Sequence, residues 1–229
     1  MKRSSLIALL LFLLSLTMLP SGAAGQGVKV VVLDAAHGGR DAGVLSADGT
    51  AEKDLNLALA LLVQRELQGT PGLRVVLTRA GDTDLSVEER VKRITAAGAA
   101  AVVSIHANGG FYKEARGYEV YFSGLRAPGQ GRDESSAIIG DMTKTKHLND
   151  SVRLAQGLQR NLEKVFPKEG RGLREAPVPL LTSLTVPAVV VEVGFVTNTK
   201  DRNKLKNEAS RLEVARALAR GIKEGLAER

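Results

Sequence analysis

GVKVVVLDAAHGGRDAG, residues 27–43, is the stretch from which the fold can be read. Val30 to Leu33 run without polar alternation into Asp34, and His37 follows with Gly38 and Gly39. An unbroken apolar run of this kind matches a strand covered on both faces, as in a parallel sheet between helix layers. The glycine pair lets the backbone turn sharply and leaves the imidazole open to approach. Sites in open α/β sheets form beyond the carboxyl ends of strands, and His37 stands at such a position. A lone histidine there is also consistent with a loop residue making one hydrogen bond. Its meaning depends on what else reaches the same edge.

Outward from this strand, helical and extended patterns alternate. Leu55, Leu59, Leu62 and Leu67 recur near helical spacing over about 52–67, with Thr50 as the expected cap. Leu73–Thr78 reads as a second strand, and Ser86 with Glu89 as a capping box opening a helix to about Ala97. Ala100–Ile105 is a third apolar strand ending at His106, and Gly117–Ser123 a fourth. Gly124–Asp150 is rich in glycine and charge and reads as an irregular insertion with room for a short helix. An amphipathic helix over Ser151–Val165, a short strand at Val178–Leu181 and a last apolar strand over Pro187–Val193 follow. Helices at about Lys200–Lys206 and Glu208–Ala227 close the chain. The alternation predicts an α/β three-layer sandwich with a twisted, mostly parallel or mixed central sheet flanked by helices.

The chain of 229 residues suits one domain with a substantial core. Lys2 and Arg3 precede the apolar run Leu6–Leu19, Pro20 and the small residues Ser21–Ala24. This is the pattern of a secretory signal peptide, so residues 1–25 are expected to be a cleaved leader and 26–229 the catalytic domain. The run of 14 residues falls short of the ~20 needed to span a bilayer. Retention as an uncleaved anchor is the alternative. With no cysteine, the chain has neither disulfides, thiolate ligands nor a lipid-modified cysteine. Aromatics at 3% make stacking on nucleic-acid bases a poor expectation. The net charge of +7, or +5 without Lys2 and Arg3, suits association with anionic surfaces and also simple solubility.

Three further residues give His37 its context. His106 ends the third strand, Glu192 lies near the end of the last, and Glu52 opens the helix after the first. If those strands are parallel neighbours, three of these side chains meet at one edge and the helix start brings in the fourth. Singly, Glu52 is an acid favoured in a first helical turn, whereas Glu192 must be paired, liganded or protonated if buried. Together they match a catalytic zinc set of two histidines and one carboxylate with an open position. A second carboxylate then serves as general base for the attacking water. The division that fits is His37, Glu52 and His106 on Zn2+, with Glu192 as catalytic base. Asp34 and Asn108 are candidates for fixing the imidazole tautomers, and His147, beside Lys144 and Lys146, reads as a surface residue.

In that order, LDAAHGGRDAG, AEKDLNLALA, TRAGDTDLSVEER, VVSIHANG and PAVVVEVGFVTN resemble the zinc-dependent N-acetylmuramoyl-L-alanine amidases of amidase 3 type, which cut bacterial cell-wall peptidoglycan. The resemblance runs from about Val28 to the C-terminus. It implies that His37, Glu52 and His106 are zinc ligands and Glu192 the catalytic glutamate. The substrate it implies is the amide between the lactyl group of N-acetylmuramic acid and L-alanine. An exported enzyme, periplasmic or in the wall, is expected, with peptidoglycan as partner, no nucleic acid, no membrane insertion after leader cleavage, and an unidentified activator. Ala35-Ala36 replaces the family's usual Pro-Gly before the first histidine, which puts the turn geometry in question. Some relatives carry an inhibitory helix in the region of Gly124–Asp150. The competing readings are a zinc peptidase acting within the stem peptide and a non-catalytic wall-binding protein.

Overall fold

A computed structural model describes residues 27–112, 114–124 and 134–227, with the side chains of 134–146 outside the description. In chain order the elements are β1 (Lys29–Ala35), α1 (Glu52–Leu67), β2 (Leu73–Leu77), α2 (Val87–Ala96), β3 (Ala101–Asn108) and β4 (Tyr118–Phe122). They continue with α3 (Glu134–Leu162), β5 (Gly170–Glu175), α4 (Pro179–Ser183), β6 (Ala188–Phe195), α5 (Thr199–Lys206) and α6 (Glu208–Ala227). The strands form one sheet in the order β2-β1-β3-β6-β4-β5. β2, β1, β3 and β6 are parallel, while β4 pairs antiparallel with β6 and β5 runs parallel to β4. The mixed three-layer sandwich is therefore the observed architecture.

Apolar runs in the central strands feed both sheet faces. Val31, Leu33, Val103, Ile105, Val189 and Val191 are fully buried in the larger core, with α1, α3 and α6. Their neighbours Val30, Val32, Val102 and Val190 point the other way, onto Ile94 of α2 and Leu180 and Leu181 of α4. Period-two alternation thus divides one apolar run between two cores. At the junction of α3 and α6 the helices approach closely through glycines. A Cβ on Gly221 would lie 2.7 Å from the Leu158 Cα, and one on Gly225 2.6 Å from the Leu154 Cα.

Three expectations need correction. The region read as an irregular insertion contains the first turns of α3, which starts at Glu134 and runs unbroken to Leu162. Residues 125–133 lie outside the described residues. The short strand expected at Val178–Leu181 is the helix α4, with Pro179 in its first turn, where a missing N–H costs nothing. The strand at this end of the sheet is β5, whose GRGLRE sequence is largely exposed, as an edge strand can be. Thr50 does not cap α1. The cap position is Ala51, without a side-chain bond, and the carbonyls of Ala42 and Val44 accept from the Lys53 and Glu52 N–H groups instead. The capping box of Ser86 and Glu89 forms as expected. The leader expected at 1–25 lies outside the described residues. No helix among the described residues is long and apolar enough to cross a membrane.

Gly221→Ala should destabilise the fold by about 1–3 kcal/mol, because a packed backbone must move to admit the methyl. Gly81→Ala, where a Cβ meets nothing within 4 Å, should stay within about 0.5 kcal/mol. Urea unfolding of both variants checks this, and equal stability would show that the α3–α6 contact is not limiting.

Candidate metal centre

The His37 turn is built by two buried arginines. Arg79, 2% exposed, donates from Nε to the Ala35 carbonyl (2.8 Å) and from Nη2 to those of Ala36 (3.0 Å) and Lys53 (2.8 Å). Arg90 donates from Nη2 to the His37 carbonyl at 2.7 Å and from Nη1 to Ala35 at 2.9 Å. Its Nη1 also meets Asp34 Oδ1 at 2.6 Å. Ala35 and Ala36 are buried beneath this clamp, and His37 adopts a left-handed φ of 61°, uncommon outside glycine. The Ala-Ala replacement therefore supports a closed turn, held by guanidinium-to-carbonyl bonds.

Glu52, 3% exposed, gathers the other parts. Its Oε1 lies 3.2 Å from His37 Nε2 and 3.1 Å from His106 Nδ1. The same oxygen accepts from Asn56 Nδ2 at 3.1 Å and the Ala107 N–H at 3.2 Å. Oε2 accepts from the Val44 N–H at 2.9 Å. The two imidazoles stand edge to face with centroids 5.2 Å apart. One ligand atom from each of His37, Glu52 and His106 lies within 4.8 Å of the others. Gly43 permits this closeness: a Cβ there would come within 2.5 Å of Glu52 Oε2 and 2.7 Å of His37 Cδ2.

β3 and β6 lie side by side, so Glu192 is in register with His106. Its Oε2 is buried without a hydrogen-bond partner among the described residues. An ionised carboxylate left this way is costly unless a cation or substrate group completes it. Burial pushes Glu192 up to about 7, with Glu52 and Glu119 adding to the shift and His106 and His37 opposing it. Burial would lower His37, but bonds and charge from Glu52 and Asp41 prevail and push it up to about 9. Burial likewise opposes the ionised form of Glu52, yet the imidazoles of His106 and His37 hold it well below the usual carboxylate range. Two nitrogens and a carboxylate oxygen that converge in this way fit a metal ion such as zinc by donor chemistry.

All four residues singled out in the sequence reach this edge, whereas their expected supports do not touch the imidazoles as anticipated. Asp34 is buried between strands, accepting from Thr78 Oγ1 (2.6 Å), Ser104 Oγ (2.7 Å) and Arg90. Asn108 donates to Glu119 at 3.1 Å. The carboxylate on His37 is Asp41, whose Oδ2 lies 2.7 Å from Nδ1. It sits in a polar loop without periodicity, and its spacing of four residues from His37 was the only available signal. His147 is half-buried on α3, with Nδ1 buried and unpartnered among the described residues. Its carbonyl accepts from Ser151, whose hydroxyl in turn binds the Ala188 N–H. That contact is at the start of β6, the sheet end opposite the site.

The profile of the Amidase_3 family, N-acetylmuramoyl-L-alanine amidase, matches residues 31–224. The chain is 34% identical to the protein YqiI of Bacillus subtilis (strain 168), over 91% of each. It is 29% identical to the N-acetylmuramoyl-L-alanine amidase AmiA of Escherichia coli (strain K12), over 89% of this chain and 78% of AmiA. Among solved structures it resembles the catalytic domain of CwlV, an N-acetylmuramoyl-L-alanine amidase from Bacillus (Paenibacillus) polymyxa var. colistinus. There the TM-score is 0.72 at 33% identity, covering 88% of this chain and 99% of that domain.

Metal binding should displace the proton that His37 carries below about pH 9 in the metal-free protein. Zinc affinity should therefore rise with pH up to that value, by up to about tenfold per unit, with a proton released on binding. Asp41→Ala should weaken zinc about 10- to 100-fold while leaving the fold intact. Calorimetry in buffers of different ionisation enthalpy reads both effects. A pH-independent affinity, or an unaffected variant, would contradict the corresponding role.

Proposed function

Because the chain belongs to the N-acetylmuramoyl-L-alanine amidase family, we propose that it hydrolyses the amide joining N-acetylmuramic acid to L-alanine in peptidoglycan with zinc as its metal. In this reading His37, Glu52 and His106 hold the ion and Glu192 moves the proton. The observation that carries it is the convergence of three ligand atoms within 4.8 Å, with Glu192 in register with His106 and one of its carboxylate oxygens buried and unpartnered among the described residues. Zinc, when bound, polarises a carbonyl oxygen and acidifies water.

The chain's own groups supply the rest. Asp41 on Nδ1 of His37 orients the imidazole so that Nε2 is turned toward Glu52 Oε1. Glu52 is held by the Val44 and Ala107 N–H groups and Asn56, so the ligand oxygens are ordered before any ion arrives. Glu192, with proton affinity near neutrality, is suited both to accept a proton and to give it back. It takes one from the attacking water as oxygen bonds to the carbonyl carbon. It then delivers the proton to the alanine nitrogen as the carbon–nitrogen bond breaks.

Glu192→Gln keeps the size of the side chain and removes its basicity. With zinc content and melting temperature unchanged, turnover on purified sacculi should fall at least about 100-fold. Mass spectrometry of the products should show intact stem peptides with free N-terminal L-alanine. Cuts inside the peptide would support the peptidase alternative, and near-normal turnover of the variant would remove Glu192 from the mechanism.

Export belongs to the same reading, supported by the basic, apolar and small-residue succession over Lys2–Ala24. N-terminal sequencing of the exported protein should begin between about Ala24 and Val28. An intact Met1 in the membrane fraction would show an anchor.

A further inference from the structure

A groove of about 840 Å³ opens over the carboxyl end of β3, from Asn108 two residues beyond His106, and over the start of β4. Asn108, Tyr121, Lys168 and Arg171 are among the residues that line it. At its floor is Glu119, 0% exposed and in register with Glu192 on the neighbouring strand. Its carboxylate accepts from Arg171 Nε, the Tyr121 hydroxyl and Asn108 Nδ2. This buried acid is thereby fully engaged. The arginine that neutralises it is not: the Arg171 side chain is 62% exposed, and among the described residues its terminal nitrogens have no partner. Lys168, on the same groove, has no carboxylate partner for its ammonium among the described residues. Arg116, by contrast, is paired with Glu169.

A guanidinium held at Nε by a buried carboxylate is fixed in orientation and offers the fork of its remaining N–H groups to a planar anion. The amide cut in the proposed reaction separates a glycan from a peptide. The muramic carboxyl is consumed in that amide, so free carboxylates belong to the peptide side. The strand carrying Glu119 is adjacent to the one carrying Glu192, about 5 Å away. An extended peptide advances ~3.3 Å per residue, so the fork lies within reach of the first residues after the cut.

We propose that Arg171, braced by Glu119, is a specificity-determining residue that binds the free carboxylate on the peptide residue following L-alanine. The inference rests on the amidase reading for the identity of the ligand. Lys168 adds a second cation to the same wall and makes the groove selective for an acidic peptide.

The test uses the zinc-loaded full chain and two muramoyl peptides that differ only in a carboxylate or carboxamide on the residue after L-alanine. Wild-type kcat/KM should favour the carboxylate about 10- to 100-fold, the range expected for a hydrogen bond between charged groups, with the difference in KM. Arg171→Gln should abolish that preference, the carboxylate substrate losing about 10- to 100-fold more than the carboxamide. Arg171→Lys, which leaves Glu119 with a cation, should keep the fold and retain only part of it. Equal losses on both substrates in Arg171→Gln, or no preference in the wild type, would overturn the proposal and leave Arg171 a brace for Glu119. Calorimetric binding of the same two peptides to Glu192→Gln reads the preference without turnover. Failure of the amidase reading appears separately, as an uncut muramoyl amide with the binding preference intact.

Discussion

One carboxylate oxygen ties the candidate metal centre together. Oε1 of Glu52 is shared by His37, His106, Asn56 and the Ala107 N–H, so one atom links α1, the turn after β1 and the end of β3. Placing this anion at a helix start is electrostatically favourable. The loop over 42–51 completes the arrangement by lending its carbonyls to the first N–H groups of α1. Without the parallel register of β1 and β3, His37 and His106 would not be within reach of the same oxygen.

The turn that presents His37 depends on a different device. Arg79 and Arg90 are buried, and their guanidinium groups spend most of their hydrogen bonds on main-chain carbonyls of residues 35–37. Burying such cations is costly unless every donor is engaged. Asp34 answers the charge of Arg90 and also binds Thr78 and Ser104, fastening the ends of three adjacent strands. A histidine with positive φ is thus held by its surroundings more than by its own preference. An imidazole set by several independent bonds is well suited to serve as a ligand, because little ordering remains to be done on binding.

The antiparallel entry of β4 gives the site edge its second acid. Glu119 and Glu192 are cross-strand partners, and like charges directly opposite one another are unfavourable. The protein separates their environments. Glu119 has Arg171, Tyr121 and Asn108, whereas one oxygen of Glu192 has no partner among the described residues. Burial pushes Glu192 up to about 7, while Glu119 is occupied by its three donors.

Local pattern determined much of this from the chain alone. Apolar runs without alternation marked β1, β3 and β6, and polar residues at their ends marked His37, His106 and Glu192. Ser86 and Glu89 announced the start of α2 by a bond between residues three apart. These features are legible because their causes lie within a few residues. The first turns of α3 precede the apolar stripe that begins near Val152, and edge strand β5 needs no apolar run, so periodicity could not reveal either one. The partners of Asp34, Asn108 and Arg171 were equally hidden, because they lie 11 to 70 residues away in the chain. Strand order, and the reversal of β4 that sets Glu119 against Glu192, belong to tertiary structure: a side chain's chemistry is written in the sequence, but its partner is decided by which strands pack side by side.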